Sequence, residues 1–283
     1  MEPLTILLVF VFGTLVGSFI NVVSLRYNTG LSITSGRSKC FNCNITLKWY
    51  EMVPLFSFAF LKGRCRTCKN YISNQYPIVE FLTGIVFVLI VSRQINLWHI
   101  YGSFENGLLY SIIFLVFYIF IFSLLLIIAI YDLRHKIIPD KLSYTFIFLS
   151  SLKLLFFFYV CNKLNLSTPV LLDLLSPIIL FLLFASLWYF SNGRWMGFGD
   201  AKLAFGIGAF LGFSYGLSAI ILAFWIGAVW GVFIILKRKF DPKAKKVTMS
   251  SQIPFAPFLI LALAVVFFWK LDVLGLQDLI SLQ

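Results

Sequence analysis

The chain has 283 residues, of which 60% are hydrophobic and only 12% are charged, and 33 are phenylalanine. A soluble domain carries about 25% charged residues, so an ordinary soluble fold is excluded and an all-α polytopic membrane protein of about eight transmembrane helices is expected. The net charge of +12 comes from Lys and Arg gathered in alternate loops, the cytoplasmic bias of membrane proteins, and is not read as nucleic-acid binding.

Crossing a hydrocarbon layer ~30 Å thick takes about 20 mostly apolar residues. Such runs are expected at 4–24, 77–95, 107–131, 141–160, 169–190, 201–214, 217–236 and 254–271. The first has Glu2 ahead of it and Arg26 behind it, so it reads as a retained helix with its amino end outside, not as a cleaved secretory signal. The sixth is short and glycine-rich, which fits a tilted or partly re-entrant segment, or one merged with the seventh. Of the 23 Lys and Arg residues, eight lie between Arg26 and Lys69, three between Arg134 and Lys141, two at Arg194 and Lys202, and six between Lys237 and Lys246. That pattern assigns the loops 25–76, 132–140, 191–200 and 237–253 to the cytoplasm. The basic run KRKFDPKAKK at 237–246 reads as an anchor on the headgroups of the lipid bilayer. Three parts result: a first transmembrane helix at 1–24, a cytoplasmic loop domain at 25–76, and a polytopic helical membrane domain at 77–283.

The loop domain holds Cys40-Phe41-Asn42-Cys43 and Cys65-Arg66-Thr67-Cys68, separated by 21 residues. A two-residue spacer lets both sulfurs of a pair reach one ion, so two pairs supply a tetrahedral Zn²⁺ site. Two disulfides or four unrelated thiols are the alternative, and a reducing cytoplasmic loop disfavours disulfides. Four thiolates close the coordination shell, so the zinc is expected to staple the loop without activating water. Cys161 lies near the outer face, away from these four, and receives no role.

Two aspartates stand at the cytoplasmic ends of apolar runs: Asp132 in IAIYDLRHKIIPDKL (128–142) and Asp200 in WMGFGDAKL (195–203). A charge at a helix centre costs about 2.5–3.5 kcal/mol on insertion scales and less near the interface, so such residues usually face a cavity or a partner. Two carboxylates in one small site resolve the cost by sharing a proton, which gives an acid and a base at the same pH, the arrangement that activates water in an aspartic protease. Gly197 and Gly199 beside Asp200 permit close approach of backbone to the carboxylate or to an extended substrate. The glycine pattern alone fits equally a turn and helix start with Asp200 as a cap. Asp132 also fits a span end paired with Arg134 or Lys136, and Asp140 after Pro139 fits an ordinary cap. No HExxH or GxSxG pattern is present, and the two histidines, His99 and His135, do not make a metalloprotease site. If the protein cuts bonds, carboxylates are its tools.

Taken in order, GSFINVV (17–23), the two CxxC pairs with KWYEMVPLFSF (48–58) between them, NQYPIVEFLTG (74–84), YDLRHKIIPDKL (131–142), MGFGDAKL (196–203) and IPFAPFL (253–259) resemble the bacterial prepilin peptidases, the type IV leader peptidase family of GxGD-type intramembrane aspartic proteases. The resemblance implies a multi-pass protein of the bacterial inner membrane whose active site faces the cytoplasm. It would remove short basic leaders from type IV prepilins and type II secretion pseudopilins, cutting after a glycine. It would then methylate the new amino terminus with S-adenosylmethionine. By the match Asp132 and Asp200 are the catalytic pair, Gly197, Gly199 and Asp140 support them, and Cys40, Cys43, Cys65 and Cys68 bind zinc. Ala256 and Ala201 depart from the family pattern where glycine and valine are common, without removing a chemical group. The loop of about fifty residues has no glycine-rich strand-turn-helix signature, so no Rossmann-type methyltransferase domain is present; Glu51 and Glu80 are the polar candidates for methyl transfer. The rival readings are a proton- or cation-coupled transporter, which predicts internal repeats not evident in the sequence, and a non-catalytic assembly factor with a zinc-stapled docking loop.

Overall fold

A computed structural model describes residues 2–101, 107–163, 171–239 and 254–276. The side chains of Cys161 and His99, and the basic run from Arg238 onward, lie outside what it describes. Among the described residues the chain is helical, with two isolated β-bridges and no strand. It divides into two compact units, residues 1–127 and 128–283.

The first unit holds α1 (Pro3–Arg26), a 3₁₀ turn (Trp49–Met52), α2 (Phe56–Phe60), α3 (Gln75–Tyr101) and most of α4 (Gly107–His135). Pro3 starts α1 where its missing N–H has no helical partner to lose. Helices α1 and α3 pack together, burying Ile20, Val79 and Phe87, and Asn21 Nδ2 donates to the Tyr76 carbonyl at 3.2 Å. Leu7, Phe12, Leu109 and Val116 remain exposed, as side chains facing lipid do.

The second unit holds the end of α4 with α5 (Asp140–Lys163), α6 (Leu171–Ser191), α7 (Phe198–Leu211), α8 (Phe213–Lys239) and α9 (Ala256–Trp269). Helix α7 touches α5, α6, α8 and α9. A helix apolar on every side belongs in an interior, and Ala201, Leu203, Ala204, Ile207, Ala209 and Phe210 are all buried. Around them lie Phe146 of α5, Leu180 and Phe184 of α6, Ala219 and Ala223 of α8, and Leu259, Leu263 and Phe267 of α9. The Phe210 ring stands 5.2 Å from that of Phe267.

Six helices, α1, α3, α4, α5, α6 and α8, are long and apolar enough to cross a membrane. The runs expected at 201–214 and 254–271 form α7 and α9, each of 14 residues, about 21 Å long and short of the ~30 Å hydrocarbon layer. Two boundaries also differ from the expected spans. Helix α4 continues through Asp132 to His135, so Asp132 is a helix residue and the connection to α5 shrinks to 136–139. Helices α7 and α8 are separate, divided at Gly212 and not near 215. Gly212 has φ +83°, which glycine adopts without strain. The carboxylate of Asp173 in α6 takes the Phe213 N–H at 2.8 Å. That partly buried contact fixes the break, and no local pattern announces it.

Candidate functional site

The two cysteine pairs are built alike. In each, the first cysteine accepts a hydrogen bond at its carbonyl, from Asn44 N–H to Cys40 (2.9 Å) and from Lys69 N–H to Cys65 (3.0 Å). Its own N–H then donates to Ile45 or Asn70, at 3.0 and 2.8 Å. Asn44 and Lys69 take left-handed backbone, φ 56° and 58°, which closes each turn so that both of its sulfurs point the same way. All four Sγ atoms lie within 4.8 Å of one another, with Cys40 and Cys68 at 3.8 Å and Cys43 and Cys65 at 4.0 Å. A disulfide needs about 2.05 Å, whereas Zn–S bonds of ~2.3 Å in a tetrahedron put sulfurs about 3.8 Å apart. The donor set and spacing fit a Zn²⁺ ion. The backbone amides of Cys43 and Asn42 hold the Cys40 thiol below its ordinary value. The Asn70 amide brings Cys68 down to about 6. The Ile45 amide acts the same way on Cys43, but burial and the three neighbouring sulfurs push that thiol up to about 11. Four crowded sulfurs ionise together only around a cation.

Both glutamates named for methyl transfer have backbone partners. Glu51 accepts from the Lys48 N–H at 2.8 Å and closes the capping box of the 3₁₀ turn. Glu80, buried on α3, accepts from the Leu55 N–H at 2.8 Å, where the chain holds the unusual φ of +61°. The two carboxylates thus tie down both ends of the segment 48–55. Glu51 also lines an open cavity of about 430 Å³ with Tyr50, Val53, Phe56, Phe60 and Arg66, a size that suits a small-molecule ligand. Glu80 is not part of that lining.

In the second unit Asp132 and Asp200 are 4% and 6% exposed. The Asp132 carboxylate acts on Asp200 electrostatically. Each keeps one oxygen, Oδ2 of Asp132 and Oδ1 of Asp200, without a hydrogen-bond partner among the described residues. A buried oxygen left in that state costs about 1–3 kcal/mol, and a native fold retains few of them. Asp132 does draw on the backbone amide of Ala256 at the start of α9, where unpaired N–H groups and the helix dipole favour an anion. The sequence marked Ala256 only as a departure from a motif; its contribution is an N–H, which any residue but proline supplies.

Asp200 stands in the first turn of α7, with Gly197 at the N-cap. A Cβ on Gly199 would stand 2.9 Å from Ile138 Cβ, so glycine there lets the 136–139 connection seat against α7. A Cβ on Gly197 would meet Asp200 Oδ2 at an ordinary 3.6 Å; the protein itself does not require glycine at 197, and its absence of side chain leaves room beside the carboxylate. Asp140 is the first residue of α5, and its Oδ1 pairs with Lys202 Nζ at 2.6 Å. It therefore joins two helices. Lys202 carried no signal in the sequence beyond its charge.

Two family models match the chain: the Bacterial Peptidase A24 N-terminal domain over residues 11–94 and the type IV leader peptidase family over residues 119–232. The chain is 34% identical to a prepilin leader peptidase/N-methyltransferase of Myxococcus xanthus, over 83% of this chain and 64% of that protein, and so spans slightly less than two thirds of that relative. It is 32% identical to one of Xanthomonas campestris pv. campestris over 80% of this chain and 70% of the relative. With one of Bacillus subtilis it shares 30% identity over 88% of each. No solved structure matches.

Proposed function

Because the chain belongs to the type IV leader peptidase family, we propose that it is an intramembrane aspartic endopeptidase that removes the leader from prepilins or pseudopilins, with Asp132 and Asp200 as the catalytic pair. One observation carries this reading: two buried carboxylates stand on separate helices, Asp132 acts electrostatically on Asp200, and each has an oxygen that no described residue bonds.

In the proposed reaction the pair holds one proton between two carboxyl groups. The ionised member takes a proton from a water molecule as the water oxygen bonds to the scissile carbonyl carbon. The protonated member gives its proton to the carbonyl oxygen. In the collapse of the tetrahedral intermediate the C–N bond breaks as the carboxyl that took the water proton gives it to the departing nitrogen, and a hydroxyl of the intermediate returns its proton to the other carboxylate, which restores the pair. Buried surroundings strengthen both transfers, since the charges are poorly screened. An extended substrate strand fits the space beside Gly197. A prepilin's apolar helix would enter from the bilayer, and the active site would face the cytoplasm, the side to which the Lys and Arg pattern assigns the 132–140 and 191–200 loops.

The chain's relatives carry a second activity in their names, and we extend it to this chain. S-adenosylmethionine supplies an activated methyl group. The groove at Tyr50, Glu51, Phe56, Phe60 and Arg66 suits it, with rings for a flat base, Glu51 for positive charge and Arg66 for a carboxylate. Glu80 then acts on this activity indirectly, by holding Leu55. The four cysteines hold Zn²⁺ and keep the same loop folded.

The test is to incubate the purified full chain in detergent with a prepilin, with and without S-adenosylmethionine, and to record intact product masses. Loss of the leader supports the peptidase, and an added methyl mass supports the second activity. An uncut prepilin returns the question to a transporter or assembly factor.

A further inference from the structure

Helix α7 presents Asp200, and two residues later it carries Lys202, the fifth residue of the helix, with a side chain only 13% exposed. A charged group so largely covered by protein calls for a partner. That partner is Asp140, whose own place in the first turn of α5 is dipole-favoured. The Lys202 ammonium is aimed by two rings as well, 4.9 Å from the Tyr144 centroid and 5.5 Å from that of Phe198.

The other end of α7 is tied to the same helix. Lys153 of α5 donates to the Phe210 carbonyl at 2.5 Å, one residue before α7 ends at Leu211. There a cation suits the dipole. Between the two ties Phe146 of α5 is fully buried, its ring 6.4 Å from that of Phe210. Helices α5 and α7 therefore run in the same direction, with an ion pair near the start of the shorter one and an ammonium-to-carbonyl hydrogen bond near its end. Together with the Ser176 hydroxyl, which donates to the Gly208 carbonyl at 3.0 Å, these contacts fix the position of α7 along its own axis, and that position sets the height of Asp200.

We propose that the Lys202–Asp140 ion pair is a positioning clamp that registers α7 on α5 and so holds Asp200 at the height of Asp132. The inference rests on the peptidase reading. Neither residue touches the reacting atoms in this account. An ion pair with one exposed partner contributes little to stability, whereas a misplacement of about 1 Å in a catalytic group costs up to about hundredfold in rate. The clamp thus predicts a catalytic loss without a matching loss of fold.

The experiment measures kcat, KM and thermal midpoint for the full chain in detergent, acting on one prepilin. It uses Asp140→Asn, Lys202→Met, the double variant, the swap Asp140→Lys with Lys202→Asp, and the conservative Asp140→Glu and Lys202→Arg. Each neutralising change is expected to lower kcat roughly ten- to hundredfold with KM and thermal midpoint nearly unchanged. The double variant should be no worse than the worse single one, because both remove the same contact. The swap and the conservative variants should recover most of the rate. Single variants that cleave like wild type, or a failure of both the swap and the conservative variants to recover activity, overturn the clamp. A rise in KM with kcat intact also overturns it, since Asp140 would then be binding the substrate. If wild type cleaves nothing, the peptidase reading fails and this inference falls with it; if wild type cleaves and the variants equal it, only the clamp fails.

Discussion

Asp132, three residues before the end of α4, acts electrostatically on Asp200, in the first turn of α7, and each buries an oxygen that no described residue satisfies. Helix starts surround the pair: Asp200 opens α7, and the first amide of α9 reaches Asp132. Both α7 and α9 are too short to span the bilayer.

Zinc is expected to bind one ion per chain and to set the order of the loop at 37–72. Chelation, or Cys40→Ser, should leave that segment open to protease and raise its hydrogen exchange, while the transmembrane helices stay protected. Acid should act like a chelator. Cys40 and Cys68 are held below the ordinary thiol value, so the stability they contribute is complete at high pH and is lost as pH falls through about 6, the value for Cys68. Metal analysis after dialysis across this range checks the direction; tighter zinc retention at low pH would contradict it.

Glu80 is buried and supports the Leu55 N–H. Glu80→Leu leaves that donor unpaired and should cost about 1–3 kcal/mol, with loss of methyl transfer before loss of cleavage. Glu80→Gln keeps an acceptor in place and should recover most of both. Thermal unfolding alongside product mass separates this from a direct chemical role, in which Gln would fail as badly as Leu.

Gly199 packs on Ile138 at a distance no real Cβ accepts. Gly199→Ala should therefore displace the first turn of α7 and cost about 1–3 kcal/mol in strain, with a larger proportional loss of cleavage because Asp200 is the next residue. Ile138→Gly in the same chain removes the Cβ that a methyl group at 199 would meet and should restore part of the activity. No recovery in the double variant would show that Gly199 serves the substrate and not the α7 contact.

How much of this was legible in the sequence divides by range. The CxxC pairs are self-announcing because their geometry is set within four residues, and the structure gathers their four sulfurs as expected. Long apolar runs announced most helices, since lipid imposes a length. Asp132 and Asp200 stood out because charge is rare in such runs. What could not be read was tertiary: the Ala256 amide on Asp132, the Asp173 carboxylate on Phe213 that divides α7 from α8, and Lys202 on Asp140. Each joins residues at least 40 positions apart, and local propensity contains no term for such partners. The end of α4 differs for a related reason: polar residues end an apolar run before they end a helix.

The account depends most directly on the aspartate pair. The decisive measurement is the intact mass of a prepilin after incubation with wild-type chain, Asp132→Asn, Asp200→Asn and the double variant, each purified from membranes and matched for zinc content and thermal midpoint. Wild type should release the leader. Either single variant should lose at least about a thousandfold in rate, and the double variant should be no slower than the singles, because residues acting as one catalytic unit are lost together. A single variant that still cleaves at a rate within about tenfold of wild type would contradict the assignment.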